Sequence, residues 1–558
     1  MGSQALPVTV MTRAYRHRYT QAGRRRIVKK SPLNVAASLP LIVGLGLAGC
    51  SGSNNESSAA PKDSLGPTNA APAQQAKAPS GKYSSNTKTG EKINAETHHT
   101  HGSLTWDTGS EIRLDLANEP SADGVSVEDG ALVITKAGNY HLSGDYTGQV
   151  RINTAEPETV RLILDNVSIT NSTGPAITAS GGGTTIVYTM AGTTNTVSDG
   201  EQYTVTGKKK PDAAIYSTAN LTLAGEGTLT VNGNHEEGVH TTGGLVISNG
   251  TLNVNSVKTG IKGKNYVDIL GGEVSVNSQK DAIKATNSKE EGYGWARITG
   301  GTVKVIAGDD GLKAIRTVEI ADGTLNIEKA REGVEGQYIN IFGGAVSVNS
   351  IDDGINASLK DPLPDGQEAE DDPTPDGQPQ QEPSGSVGGA RDTTEVIDAA
   401  IHISGGQVTV NVEGDGIDSN GSQTYTGGTV TINGPSTYLN NSVDANGELL
   451  LNGVNIAAAG SGAEMFKVPS EKSTNGYLRV VNLDVFTPGR TVQVTDTETG
   501  AVVANYTVVT SGVQLFFLSN PSLVKGNNYT VYTVSGPVQE GSTTLAPGAV
   551  EVGTYAAE

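Results

Sequence analysis

The sequence has little cysteine, few aromatic residues and few positive charges. Cys50 is the only cysteine among 558 residues, so no disulfide can form within the chain. Aromatic residues make up 4% of the chain, whereas glycine occurs 72 times, a composition that favours narrow elements joined by tight turns. Helical periodicity of useful length is absent, which argues against a helical bundle or a helical repeat protein.

Positive charge is scarce in the part of the chain that can fold. The whole sequence has 39 basic and 59 acidic residues, and residues 1–49 carry eight of the basic ones and no acidic one. The remainder therefore has 31 basic against 59 acidic residues, a balance of −28. Such a chain repels nucleic acid and anionic membrane surfaces, so no nucleic-acid partner is expected. It would also repel an acidic polysaccharide unless cations mediate the contact.

The N-terminal region is predicted to be an export signal followed by a tether. A basic segment that ends at Lys30 precedes the apolar stretch 41–45, and the signal is predicted to span residues 1–49. It ends in Leu47-Ala-Gly-Cys50, which resembles the lipobox of bacterial lipoproteins. That resemblance implies a lipid on Cys50 and an extracellular protein, anchored to the bacterial cell membrane by this lipid only. Residues 50–104 are rich in Ser, Pro and Asn, which predicts a disordered tether.

Two sequence markers repeat with a common period of about 22 residues. The first is a turn glycine before a β-rich stretch, and the second is an acid–Gly–aliphatic turn such as Asp310-Gly-Leu312 or Asp353-Gly-Ile355. Steps of 29 and 62 residues contain insertions, and the longer one is predicted to be a disordered loop over 359–397. The turn glycines are Gly227, Gly250, Gly272, Gly301, Gly323, Gly344, Gly406 and Gly428.

Within each repeat, apolar residues alternate over three to five positions, as in Val303-x-Val305. Short period-2 stretches separated by glycine indicate strands with one buried face. About 22 residues with three such strands form one coil of a parallel β-helix. We therefore predict an all-β, right-handed parallel β-helix over residues 105–474, with an N-terminal cap over 106–150. The period is lost after 474, and residues 475–558 are predicted to form a small C-terminal β module.

The acid–Gly turns are predicted to stack into a column of carboxylates. Equivalent residues of successive coils lie about 4.8 Å apart, where two exposed like charges repel by roughly 3–4 kcal/mol at an effective dielectric constant near 20. A Ca²⁺ ion would remove that repulsion, and the adjacent glycine would let carbonyl oxygens approach it. The alternative is that Asp-Asp-Gly is only good turn chemistry. The predicted calcium ligands are Asp281, Asp309, Asp310, Glu332, Asp352, Asp353, Asp415 and Asp418.

A ladder of lysines is predicted beside this column. Lys262, Lys284 and Lys313 occupy the outward position two residues after the marker glycine or Ala282. They either form a rail for the carboxylates of a polyuronate or pair with the neighbouring acids. Tyr293 and Trp295 lie in the 29-residue step beside the ladder, where an exposed ring would suit sugar stacking and a buried one would pack against the coil.

These motifs resemble a family of bacterial β-helix carbohydrate-binding proteins, long catalogued as a domain of unknown function. The resemblance rests on Asp309-Asp-Gly-Leu-Lys-Ala, Asp352-Asp-Gly-Ile-Asn-Ala and 414–421, and it covers roughly residues 105–475. It implies a pectate-lyase-like fold, bound Ca²⁺, a cell-surface location and binding to pectic acid (polygalacturonate) or cellulose. Thr259 and Lys280-Asp-Ala282 depart from the motif, which puts the number of ions in doubt.

Three functions remain open at this point, and a monomer is expected for each. The first is an acidic-polysaccharide-binding protein with no catalytic residue. The second is a structural surface protein or adhesin stalk in which calcium is only a staple. The third is a calcium-dependent polysaccharide lyase with Lys284 or Lys313 as the base. The lyase is disfavoured because near-equivalent lysines fit extended binding better than one singled-out base.

Overall fold

The structure is a computed structural model that describes residues 90–93, 103–118, 120–204, 210–359, 395–437, 440–463, 466–481, 485–539 and 541–558. The predicted signal, Cys50, most of the tether and most of the 359–397 insertion lie outside these ranges. No helix in the described part of the chain is long and apolar enough to cross a bilayer.

The repeats form a parallel β-solenoid of about 13 turns, so the predicted parallel β-helix is confirmed. Alternation explains each strand: in Thr302–Ile306, Val303 and Val305 are buried while Lys304 is exposed. Each coil contributes one strand to each of three sheets, and the inward Val, Ile and Leu side chains stack into one continuous core. Strands are numbered β1–β40 in chain order.

The first sheet carries the acid–Gly turns at the start of its short strands. Its members are β5 Gln149–Asn153, β7 Ile177–Ser180, β10 Ala213–Ser217, β13 Glu237–Thr241, β16 Ile261–Gly263, β19 Ile283–Ala285, the first parts of β22 Leu312–Ile320 and β24 Val334–Ile341, β26 Ile355–Ala357, β29 Ile417–Ser419 and β32 Val443–Ala445.

The second sheet follows the first around each coil. It contains β1 Glu111–Asp115, β4 Gly138–Thr147, β6 Thr159–Thr170, β8 Thr184–Thr189, β11 Asn220–Gly225, β14 Gly244–Ile247, β17 Tyr266–Ile269, β20 Trp295–Ile298, the second parts of β22 and β24, β27 Ala400–Ile403, β30 Ser422–Tyr425 and β33 Leu449–Leu451.

The third sheet completes the coil. It contains the end of β6, then β9 Thr194–Ser198, β12 Thr228–Gly233, β15 Thr251–Ser256, β18 Glu273–Ser278, β21 Thr302–Ile306, β23 Thr324–Ala330, β25 Ala345–Ser350, β28 Gln407–Val412, β31 Thr429–Asn433 and β34 Asn455–Gly460.

The turn glycines before the third sheet are required by backbone geometry. Gly301 has φ +78°, and a Cβ there would lie 2.4 Å from the carbonyl oxygen of Gly272 in the preceding coil. Gly344 has φ +77° and the same relation to Gly323 at 2.5 Å. Only glycine combines this left-handed conformation with such a close approach, which explains why the marker recurs.

The solenoid begins earlier than the sequence indicated. A cap was expected over residues 106–150, but β1 already pairs in parallel with β4, and β4 with β6. Only the antiparallel hairpin of β2 Val125–Glu128 and β3 Ala131–Ile134 departs from the coil pattern. Two short 3₁₀ helices, Thr108–Ser110 and Leu116–Asn118, flank β1.

Part of the predicted disordered tether packs on the second sheet. The Gly90 N–H donates to Asn340 Oδ1 at 2.8 Å, and the Ile93 N–H donates to Glu319 Oε2 at 2.5 Å. The Ile93 side chain is buried in a small cluster with Tyr266 and Trp295. The expectation of disorder as far as residue 104 is therefore wrong for residues 90–93, because Ile93 supplies an apolar side chain that docks on this cluster.

After residue 475 the strands become antiparallel. β38 Leu515–Asn520 pairs with β34 at the end of the third sheet and with β35 Gly476–Val481. A separate sheet has the order β37 Val502–Thr507, β36 Arg490–Asp496, β39 Asn528–Ser535 and β40 Val550–Ala556. The two layers enclose a second core that includes Leu478, Val494, Phe516 and Val531. This C-terminal module covers the last coil.

Candidate functional site

The acid–Gly turns of successive coils stack in register along the first sheet. The N–H of Gly311 donates to the Glu332 carbonyl at 3.0 Å, and the N–H of Gly354 donates to the Asp415 carbonyl at 2.8 Å. The same pattern, with Ala282 in place of glycine in one coil, joins the residues that we call the acid column: Glu237, Thr259, Asp281, Asp310, Glu332, Asp353, Asp415 and Asn441.

Packing alone requires the marker glycines, and the approach of carbonyl groups to an ion stays a prediction. A Cβ at Gly354 would lie 2.3 Å from Val410 Cγ1 and 2.4 Å from the Gly416 oxygen. The carbonyls of the column already accept hydrogen bonds from the glycine N–H groups of neighbouring coils. A carbonyl oxygen has two lone pairs, so one such hydrogen bond leaves the second lone pair unused.

A second column lies beside the first, formed by the outward residue at the centre of each short strand. Lys262, Lys284 and Lys313 are paired in register, as predicted. The ladder changes sign at the next coil, where Glu335 takes the place of the lysine. We call the full set the outward ladder: His240, Lys262, Lys284, Lys313, Glu335, Asn356, Asp418 and Asp444.

The lysines of the outward ladder contact carboxylates and are largely covered. Lys262 Nζ lies 3.0 Å from Glu237 Oε1, and Lys284 Nζ lies 2.5 Å from Asp281 Oδ2. Their side chains are each only 11% exposed. Lys313 contacts both Asp310 and Glu335. Of the two interpretations left open by the sequence, this geometry favours pairing with the acids over a rail of available ammonium groups.

The pKa values in this region reflect burial opposed by the lysines. Burial alone would raise the pKa of Asp281, but Lys284 and Lys313 outweigh it and hold the pKa below its usual value. For Asp310, burial together with Glu335 and Glu332 outweighs Lys313, and the pKa is raised. Burial would lower the pKa of Lys313, but Asp310 and Glu335 raise it well above the usual value. Lys313 therefore stays protonated near neutral pH.

A histidine completes this part of the column. His240 Nδ1 lies 2.6 Å from Asp212 Oδ1 and 3.0 Å from Glu237 Oε2. Burial opposes protonation of the imidazole, but Glu237 and Asp212 raise its pKa to about 9. We call the coils from His240 to Lys313 the lysine-paired half, because a cationic side chain of the outward ladder faces the acids in each of them.

The coils from Asp353 to Asp444 form the cation-poor half, in which the outward ladder consists of Asn356, Asp418 and Asp444. Asp353 accepts hydrogen bonds from the Asp415 N–H at 2.9 Å and from Asn356 Nδ2 at 3.2 Å. Burial, followed by repulsion from neighbouring carboxylates, raises the pKa of Asp353 to about 8. The same two causes raise the pKa of Asp418 to about 8.

Between the halves, Arg331 gathers the remaining predicted ligands. Its guanidinium lies 2.6 Å from Asp309, 2.6 Å from Glu332 and 3.0 Å from Asp352. Asp281, Asp309 and Asp310 have side-chain oxygens within 4.8 Å of one another, and so do Asp310, Glu332 and Glu335. Either triad offers enough carboxylate oxygens for a hard cation, but Lys284, Lys313 and Arg331 already contact them.

Sequence reasoning missed several members of the two columns. Glu335, Asn356 and Asp444 hold the outward position that was recognised only for the three lysines, and Asp418, which was predicted in the acid column, holds it as well. Extending the rule "two residues after the marker glycine" through every coil would have found His240, Glu335 and Asn356. Asp212 and Asp444 could not be found in this way, because neither of their coils has a marker glycine.

The aromatic residues of the insertion do not form an exposed platform. Trp295 is 2% exposed, and its ring stacks on Tyr266 with centroids 4.4 Å apart and an interplanar angle of 7°. Its Nε1 donates to the Gly292 carbonyl at 3.0 Å. Tyr266 and Trp295 are register partners in successive coils, so their rings stack along the solenoid axis. Of the two interpretations left open for Trp295, the structure shows packing against the coil, and the half-buried Tyr293 packs against the same cluster.

The fold and the site together define the class of protein, which is a parallel β-solenoid with two in-register polar columns on one sheet. The family of carbohydrate-binding domain-containing proteins matches residues 128–369. A carbohydrate-binding domain-containing protein of Acetivibrio thermocellus is 32% identical over 251 residues, which cover 44% of this chain and 88% of that protein. The chain belongs to this carbohydrate-binding family.

A solved structure is also similar. It is described as the polysaccharide lyase-like protein from C. thermocellum, gadolinium derivative, and is 32% identical. The match covers 42% of this chain and 93% of that one, with a TM-score of 0.37.

Proposed function

We propose that this protein binds acidic polysaccharide of the polygalacturonate type through Ca²⁺ held at the cation-poor half. The observation that carries the proposal is the set of in-register carboxylates there. Asp418 and Asp444 are register partners, and the raised pKa values of Asp353 and Asp418 come from burial and from other carboxylates. A divalent cation would remove that repulsion and leave coordination positions for uronate carboxylates.

The predicted ligands of the lysine-paired half take a different role in this proposal. At Asp281 and Asp310 an ion would have to displace Lys284 and Lys313, whose ammonium groups already contact the carboxylates. We therefore assign calcium first to Asp353, Asp415 and Asp418. Asp309, Asp352 and Glu332, which contact Arg331, come second.

A lyase is disfavoured by the state of its candidate base. A general base must be deprotonated near the working pH, whereas Asp310 and Glu335 raise the pKa of Lys313. Lys284 is held by Asp281 at 2.5 Å. The proposed role is therefore binding without cleavage, at the cell surface to which the lipid on Cys50 would anchor the chain. The second candidate function is a structural surface stalk in which calcium only links neighbouring coils. It is supported by the two columns, because they run from coil to coil.

The experiment compares retention on immobilised polygalacturonate in Ca²⁺ and in EGTA. We expect calcium-dependent retention, at least tenfold weaker in the double variant Asp415→Asn/Asp418→Asn. The matched control Glu273→Gln/Asp322→Asn removes the same two charges from exposed positions and should leave retention unchanged. Ultraviolet-absorbing unsaturated product would indicate a lyase, and calcium binding without retention of any glycan would indicate the stalk.

A further inference from the structure

A cleft lies where the C-terminal module meets the third sheet. Its volume is about 230 Å³, and it opens to solvent. The solenoid contributes Ser350, Asn411 and Asn433, together with Val412 and Glu413, and the module contributes Val509 and Thr510. Pockets for drug-sized ligands run from about 300 to 1,000 Å³, so this cleft suits a smaller guest, such as one sugar ring.

The amide groups in the cleft are fixed in advance. Asn411 Nδ2 donates to Asn349 Oδ1 at 2.8 Å, and Asn433 Nδ2 donates to Asn411 Oδ1 at 2.8 Å. The hydroxyl of Tyr506, from the module, donates to Asn433 Oδ1 at 2.6 Å. Each amide nitrogen has two N–H groups, so this ladder holds the Asn411 and Asn433 side chains while each retains a second donor. Rigid polar groups of this kind lower the entropy cost of binding.

One buried hydroxyl in the cleft has no partner. Ser350 is 7% exposed, and its Oγ makes no hydrogen bond among the described residues. The equivalent serine three coils earlier behaves differently, because Ser278 Oγ donates to the Lys280 carbonyl at 2.9 Å. A buried hydroxyl without a partner forfeits its hydration and gains nothing in return. The Oγ atom is closed to solvent, but because it makes no hydrogen bond, rotation about χ1 would turn it towards the cleft, where a guest could donate to it and accept from it.

The chemistry of the lining selects against negative charge. The Glu413 carboxylate accepts a hydrogen bond from the Ser436 hydroxyl at 2.6 Å through Oε2 and would repel a uronate. Amide, hydroxyl and carboxylate groups together suit sugar hydroxyls, and Val412 and Val509 offer apolar contact to ring C–H groups. The cleft is also near the acid column in sequence, since Ser350 and Glu413 precede Asp353 and Asp415 by three and two residues.

We propose that this cleft is a second saccharide subsite, completed by the C-terminal module, that binds one neutral sugar unit without calcium. This proposal rests on the proposed function, because both sites would bind glycan. The cleft uses different residues, however, and would bind an uncharged sugar instead of a uronate. A polysaccharide whose uronates lie on the cation-poor half could place a neutral branch in the cleft. The module would thus contribute to recognition in addition to covering the last coil.

The test uses the full folded chain in EGTA and saturation-transfer NMR with D-galactose, D-glucose, L-arabinose and D-xylose, with D-galacturonate as the charged comparison. We expect at least one neutral sugar to bind at millimolar concentration and galacturonate not to bind. Ser350→Ala should weaken this binding at least fivefold without lowering the melting temperature, because the hydroxyl it removes has no partner.

The matched control is Ser278→Ala, which should lower the melting temperature and leave sugar binding unchanged. Glu413→Gln should admit galacturonate. The proposal is overturned if no neutral sugar binds the wild-type chain, or if the two serine variants weaken binding equally. Because these measurements exclude calcium, their failure would leave calcium-dependent retention on polygalacturonate untouched, and failure of that retention would leave the neutral-sugar result standing.

Discussion

The two halves of the acid column share one backbone arrangement but differ in the charge of the outward residues beside the acids. In the lysine-paired half, Lys284 and Lys313 reach back three residues to Asp281 and Asp310, so the chain supplies its own cations. In the cation-poor half the same position holds Asn356 and Asp418, and the pKa values of Asp353 and Asp418 rise to about 8. The repeat therefore specifies a scaffold for carboxylates, and the outward residue decides whether the coil supplies a cationic side chain of its own.

This difference assigns different tasks to the halves. A buried charge that has an internal partner is costly to disturb and adds rigidity, whereas one without such a partner is available to a soluble ion. We expect the lysine-paired half to depend on its own residues for stability and the cation-poor half to depend on solution conditions. Four predictions test this contrast.

The largest effect is expected from removing the cation shared by Asp310 and Glu335. Lys313→Met keeps the aliphatic stem and leaves two buried carboxylates without their partner, which should cost about 3–5 kcal/mol in the free energy of unfolding. Urea unfolding followed by circular dichroism measures this loss. The exposed Lys304→Met is the control and should change stability by less than about 0.5 kcal/mol. Equal effects of the two variants would mean that the pairing in this half is unimportant.

The second prediction is that the free energy of unfolding depends on pH through the acids of the cation-poor half. The folded-state pKa values of Asp353 and Asp418, about 8, lie above the unfolded value of 3.8, so the folded state binds more protons. The stabilisation that these two protons give the metal-free protein should be fully present below pH 3.8 and be lost as the pH rises through 8, with a slope of up to about 1.4 kcal/mol per pH unit for each group.

Calcium should remove this slope and release protons on binding. Thermal unfolding at a series of pH values, with Ca²⁺ or EGTA, measures the slope, and calorimetry in buffers of different ionisation enthalpy measures the protons. A stability profile that is flat between pH 4 and pH 8 in EGTA would contradict the raised pKa values of Asp353 and Asp418.

The sequence was sufficient to predict the solenoid, because its two markers and the alternation of residues such as Val303 and Val305 are local. It also placed Lys262, Lys284 and Lys313 in one ladder, since register in a solenoid follows from the repeat alone. What it could not decide was whether those lysines reach the acids, because a pairing that depends on side-chain rotamers and burial has no separate signal in the spacing.

The errors have similarly specific causes. The sequence left open whether Trp295 is exposed or buried, because the burial comes from two distant residues: its register partner Tyr266 supplies a ring to stack on, and Ile93 packs in the same cluster. Ile93 itself lies in a segment whose composition predicts disorder. A single apolar residue forms no hydrophobic periodicity, so its docking could not be predicted. The cleft beside Ser350 depends on a loop of the C-terminal module, for which the repeat provides no register.

The third prediction concerns a substitution that gives the cation-poor half a lysine like those of the lysine-paired half. Asn356→Lys places an ammonium group three residues after Asp353, as in the Asp310–Lys313 pair, with Glu335 and Asp418 as register partners. Charge-assisted contacts contribute about 1.5–3 kcal/mol, so the metal-free variant should be stabilised by roughly that amount and should lose calcium binding at this coil. Asn326→Lys, on the third sheet, is the control. Calorimetric titration with Ca²⁺ gives the affinity, and unchanged calcium binding in Asn356→Lys would place the ion elsewhere.

The smallest expected effect comes from His240 in the lysine-paired half. The pKa of His240 is raised to about 9 from 6.5, so its contribution to stability is fully present below pH 6.5 and is lost as the pH rises through 9. Linkage gives a loss of about 1 kcal/mol between pH 7 and pH 8. His240→Gln should lack this loss, and calcium should not affect it, because the Asp212–His240–Glu237 group carries its own charge. Thermal unfolding from pH 6 to pH 10, with Ca²⁺ and with EGTA, measures both, and an alkaline slope that calcium abolishes would show that the two halves share one cation site instead of being independent.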